Sequence, residues 1–101
     1  MQEVKVAVTV FSDAINAAVL KLPSRRFPGL LLQGDTLKSL YDLAVEASKS
    51  EKSGELIEEI ADRIEALCSH YERSLRFFNH ELPYPESQAV TPIEKKSGSD
   101  D

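Results

Sequence analysis

Glu55–Asn79 reads ELIEEIADRIEALCSHYERSLRFFN, and its periodicity organises the rest of the chain. Leu56, Ile57, Ile60, Ile64, Leu67, Cys68, Tyr71, Leu75 and Phe78 recur largely in steps of three and four, the spacing that lines one side of an α-helix. Glu55, Glu58, Glu59 and Asp62 stand near its start and Arg73 and Arg76 near its end. The helix dipole favours that arrangement, by about 0.3 to 1 kcal/mol per charge. A helix of this length reaches roughly 37 Å, against a diameter of about 26 Å for a compact chain of this size. Part of it must overhang, so its apolar stripe requires either the C-terminal segment or a second copy as cover.

Upstream, GDTLKSLYDLAVEAS predicts a second helix over about Thr36 to Ser48. Leu37, Leu40, Tyr41 and Ala44 share a face, and Asp35 stands where an N-cap is expected. KSEKSG, Lys49 to Gly54, reads as a short connection between the helices. Before them, LLLQ is short and almost wholly apolar behind the Pro28-Gly29 breaker, which fits a buried strand from Leu30 to Gln33. EVKVAVTVF alternates Val4, Val6, Val8 and Val10 with Lys5, Ala7 and Thr9, as a half-buried strand does. SDAINAAVLKLP is ambiguous. Ile15, Ala18, Val19 and Leu22 suit a helix capped by Ser12 or Asp13, whereas the first strand's need for a partner favours a turn over Asp13 to Asn16 and a strand from Ala18 to Leu22.

These elements predict an α+β fold: a small antiparallel sheet of two to three strands packed against two helices, the second long and amphipathic. Residues 1–82 form the single domain. PYPESQAVTPIEKKSGSDD, 83–101, has three prolines and no period, so an extended or disordered tail is expected there. Tyr84, Val90 and Ile93 are its candidates for docking, while Lys95 to Asp101 are too polar to join them.

Composition narrows the function. The 101 residues are 42% hydrophobic, and 12 Lys and Arg stand against 17 Asp and Glu, a net charge of -5 that opposes generic phosphate attraction. No nucleic-acid partner and no membrane partner is expected, since no apolar run nears the roughly 20 residues of a bilayer span. A single cysteine and the absence of a signal-like start point to the cytoplasm. Cys68 and His70 are two apart on one helix and point in different directions, which reads as a core thiol beside a surface histidine. His80 follows the helix end, where its side chain can cap free carbonyls. One cysteine and two histidines make no zinc pattern, and the acidic row of the long helix reads as a solvated face. No metal, cofactor or catalytic set is implied, so the chain is expected not to be an enzyme.

RRFPGLLLQGDT, Arg25 to Thr36, is the most specified stretch. It matches neither nucleotide fingerprint, and the Asp35 carboxylate repels an anion at the helix start. Two readings remain. In one it is a joint made by Pro28, Gly29, Gly34, Asp35 and Thr36; in the other Lys21, Arg25, Arg26, Phe27 and Gln33 form a basic, aromatic rim that binds a partner. Arg26 and Asp35 lie at opposite ends of the strand, roughly 20 Å apart at about 3.3 Å per residue, so they need not meet.

Leu22, Pro23, Arg25, Phe27, Pro28, Gly29, Gln33, Gly34, Asp35, Thr36 and Leu37 resemble the signature of a small bacterial domain family of unknown function, L-P-x-R-x-F-P-G-x-x-x-Q-G-D-[ST]-L. The resemblance implies a stand-alone bacterial domain and brings no activity with it. The expectation is a non-enzymatic protein-interaction module, self-associating through its long helix as a homodimer or binding another protein. An immunity or antitoxin-like neutralising role and a small-ligand site built on RRFPGLLLQGDT are the alternatives.

Overall fold

The computed structural model describes residues 2–51 and 53–92. Strands β1 (Thr9–Ser12) and β2 (Ala17–Lys21) form a hairpin around Asp13 to Asn16, where the Ser12 hydroxyl accepts from the Ala14 amide at 3.3 Å. The turn therefore lies where the hairpin reading puts it, and the helical alternative for Ser12 to Leu22 is excluded. β3 (Gly29–Leu32) returns antiparallel along β2, giving the order β1-β2-β3. Between Val10 and Ser12 the register slips as a bulge, which gives Phe11 a core position beside Val19.

The valine row does not form the strand expected of it. Residues 2–8 lie outside any strand, and Val4 and Val6 are 78% and 56% exposed. β2 ends at Lys21, two residues before Pro23, which has no amide hydrogen to continue a ladder, so no strand among the described residues stands opposite those upstream of Thr9. β3 likewise is not buried on both faces. Leu30 packs on the core while Leu31 is exposed, because among the described residues no layer covers the outer side of the sheet.

Helix α1 (Gly34–Lys49) and helix α2 (Ser53–Phe77) make a helical hairpin, which confirms the α+β class. Arg63 of α2 donates to the Ser39 hydroxyl of α1 at 3.2 Å and pairs with Glu59 at 2.8 Å. The Asp35 cap is corrected: Gln33 holds the N-cap position in extended backbone without a side-chain bond, and Asp35, in the first turn, accepts from the Thr36 amide at 2.8 Å. α2 spans the two halves of the molecule. α1 packs along it, and its C-terminal half packs against β1 and β2.

α2 ends in a Schellman motif. Asn79 is left-handed at φ 56, its amide bonds the Arg76 carbonyl at 3.0 Å, and the His80 amide bonds the Leu75 carbonyl at 2.8 Å. His80 thus caps the helix with its backbone rather than its side chain, whose Nδ1 lies 2.8 Å from the Glu81 carbonyl oxygen. The reversal sends Glu81 onward back along α2. Leu82, Val19 and Leu75 form the buried core, with Phe11, Leu30, Tyr71, Tyr84 and Ala89 packed around it. The segment assigned to a tail from Pro83 is docked through Thr91 and includes a short 3-10 turn at Glu86–Gln88. Ile93 and Lys95 to Asp101 lie outside the described residues.

Candidate interaction surface

The Arg25–Thr36 stretch divides into an anchored part and a free part. Leu22 to Arg25 form a turn with Pro23 at its second position, closed by the Arg25 amide on the Leu22 carbonyl at 3.1 Å. Pro28 is buried, and its carbonyl accepts from the Tyr71 hydroxyl of α2 at 2.6 Å. Burial raises the Tyr71 pKa, which keeps that donor protonated. The Phe27 ring meets His80 edge-on at 6.0 Å, and His80 meets Phe11 at 5.5 Å, so the loop is tied to both the helix end and β1. Arg26 leaves this anchored region for solvent. It stacks over Phe27 at 5.0 Å and reaches Glu81 at 3.8 Å, an exposed pair that contributes little.

Arg25 and Gln33 are exposed, and neither side chain has a hydrogen bond or ion pair to another described residue. Among the described residues, Lys21 makes only a 3.4 Å contact to the Leu22 carbonyl. Arg25 sits at the edge of an open pocket of about 330 Å³ walled by Leu20, Leu22, Phe27, Leu30 and Leu31. Gln33, at the far end of β3, is not among its lining residues. Gly29 and Gly34 have open space where a side chain would stand, so neither glycine marks a close backbone approach.

One heavily bonded side chain is one that the sequence reading did not select. Glu72 is 0% exposed. One carboxylate oxygen accepts from the Thr91 amide at 2.8 Å and hydroxyl at 2.5 Å; the other accepts from the Tyr84 hydroxyl at 2.7 Å and the Val90 amide at 3.0 Å. Burial pushes its pKa up, but the bonds from Thr91, Tyr84 and Val90 outweigh it and hold the group at about 2. Tyr84 is raised in turn, first by burial and then by its bond to Glu72. Arg76, one turn along, bonds the Thr91 hydroxyl, the Thr91 carbonyl at 3.1 Å and Glu86 at 2.5 Å. The carboxylate is ionised and surrounded by donors, so it holds the returning segment on α2. A signal was available: Glu72 lies between Tyr71 and Leu75 and one turn after Cys68, within the apolar stripe.

The remaining feature is apolar. On α1 the covered row is Leu40, Leu43 and Ala47, while Leu37 and Tyr41 are 59% and 62% exposed. On α2 the covered row is Leu56, Ile60 and Leu67, while Ile57 and Ile64 are 56% and 46% exposed. At 100° per residue each exposed row is rotated in the same sense from its covered row. In an antiparallel pair that rotation puts both exposed rows on one side of the hairpin. His70, expected at the surface, is half-buried with its Nε2 unpartnered among the described residues, and Cys68 is a half-buried free thiol. Among the described residues no helix is long and apolar enough to cross a membrane.

A small α+β domain, with its core under one sheet face and an uncovered apolar side on its helical hairpin, is the class of protein these features define. The chain belongs to a family of unknown function, DUF6959, whose model matches residues 1–84. The matched stretch contains the whole L-P-x-R-x-F-P-G-x-x-x-Q-G-D-[ST]-L run. No curated protein and no solved structure matches the chain.

Proposed function

We propose that this chain is a non-enzymatic protein-interaction module whose principal contact surface is the uncovered side of its helical hairpin. The observation that carries the reading is the exposed row Leu37, Tyr41, Ile57 and Ile64. Large side chains around half exposed on one side of a helix pair form the contiguous apolar patch that marks a contact site in soluble proteins. The basic rim of Lys21, Arg25, Arg26 and Phe27 is a second contact region, in which Arg25 has unused hydrogen-bonding capacity; Gln33, at the far end of β3, stands apart from it. Sedimentation velocity of the wild type against a Tyr41→Glu/Ile57→Glu variant tests the hairpin. Both positions are exposed, so the variant folds, and it is expected to lose an assembly that the wild type forms alone or with a protein recovered from lysate. A wild type that stays monomeric at high concentration and recovers no protein would refute the reading.

A ligand-binding reading is favoured by one observation, the apolar pocket edged by the unpaired Arg25. Its chemistry suits a small apolar carboxylate. Thermal shift with a series of aliphatic carboxylates tests it; a melting temperature unmoved by the series removes it.

A further inference from the structure

The valine row Val4, Val6 and Val8 continues the alternation of β1 beyond the point where β2 can pair with it. β1 is an edge strand, and residues 2–8 pair with no strand among the described residues. An unpaired, β-branched extension of an edge strand is a template for another strand, a liability commonly blocked by a charged side chain such as Lys. Lys5 occupies that blocking position here, and Glu3 stands two residues before it on the same face.

We infer that residues 2–6 pair antiparallel with the same residues of a second copy, across a twofold axis at Val4, linking the two three-stranded sheets through a two-stranded ribbon. Charge selects this occupant and this register. Centring the pair on Val4 sets Glu3 directly opposite the second copy's Lys5, and the twofold repeats the pairing. Centring on Lys5 opposes two lysines, and centring on Val6 sets Lys5 opposite Ala7 and Glu3 opposite Thr9, with no charge matched. The blocking lysine thus discourages a foreign strand and matches its own copy. This inference goes beyond the hairpin reading, since it names the partner and uses a different surface.

The test is sedimentation equilibrium of the full chain as wild type, Glu3→Lys, and Glu3→Lys/Lys5→Glu. The wild type is expected to dimerise. Glu3→Lys places lysine opposite lysine twice and weakens the dimer about tenfold or more, while the double variant, with both pairs restored in reverse, returns to within about threefold of wild type. These side chains lie outside the core, so the variants fold. A wild type that remains monomeric, a Glu3→Lys dimer as tight as wild type, or a double variant that is not rescued each overturns the inference. The hairpin reading is scored separately: if Tyr41→Glu/Ile57→Glu dissociates the dimer and Glu3→Lys does not, the hairpin holds and the strand pairing falls.

Discussion

Replacing Glu72 with glutamine tests the carboxylate that fastens the returning segment to α2. All four of its partners are donors, two on each oxygen. Glutamine substitutes an amino group for one oxygen, so two bonds vanish and a donor faces donors at a fully buried position. The carboxylate titrates at about 2 in the folded chain against an ordinary 4.5. That depression corresponds to about 3 kcal/mol of stability at neutral pH. Because the folded value lies below the unfolded one, the contribution is complete above about pH 5 and is lost as pH falls toward 2. About 2 kcal/mol of it is gone by pH 3. Urea unfolding followed by helical circular dichroism at pH 7 and pH 3 measures both consequences. Glu72→Gln is expected to lose about 3 kcal/mol at pH 7 and to show a correspondingly smaller acid loss than wild type. An unchanged midpoint at pH 7, or an acid loss equal to that of wild type, would refute the role assigned to the carboxylate.

Tyr71→Phe removes one hydrogen bond to Pro28 and should cost about 0.5 to 1.5 kcal/mol in the same urea assay. Arg25→Ala and Gln33→Ala, whose side chains bond nothing described, should stay within about 0.5 kcal/mol of wild type. Asn79 occupies the left-handed helix cap, so Asn79→Gly should match or exceed wild-type stability while Asn79→Val should lose about 1 to 2 kcal/mol, read as a shift in thermal midpoint.

How far the fold could be read depended on whether the cause was local. The long helix was legible because Leu56, Ile60, Leu67 and Leu75 repeat at the helical period whatever packs on them. The hairpin at Asp13 to Asn16 was legible because β1 needs a neighbour and polar turn residues lie at the right distance. Val4 to Val8 misled, since alternation states which face a strand would bury and is silent on whether a strand stands opposite. LLLQ misled similarly: three leucines suggested two covered faces, and the described residues supply a layer for one. Glu72 escaped notice because its partners, Tyr84, Val90 and Thr91, follow a reversal at Asn79 and lie in a proline-containing segment with no period. A carboxylate inside an apolar stripe carried the only local hint. The RRFPGLLLQGDT stretch divides: Phe27, Pro28 and Tyr71 make a joint, and the side chains of Arg25 and Gln33 bond no described residue.

The docked segment also carries the fold's contacts past the family's matched stretch. The family's matched stretch closes at Tyr84, yet three of the four donors to Glu72 come from Val90 and Thr91. A chain cut at the family boundary would keep both α-helices and all three strands and still expose a carboxylate whose ionised form depends on those amides and that hydroxyl. Its Arg76 would lose Glu86 and Thr91 at the same stroke. The contacts that fasten this domain therefore reach at least to Thr91, seven residues past the stretch by which its kinship is recognised.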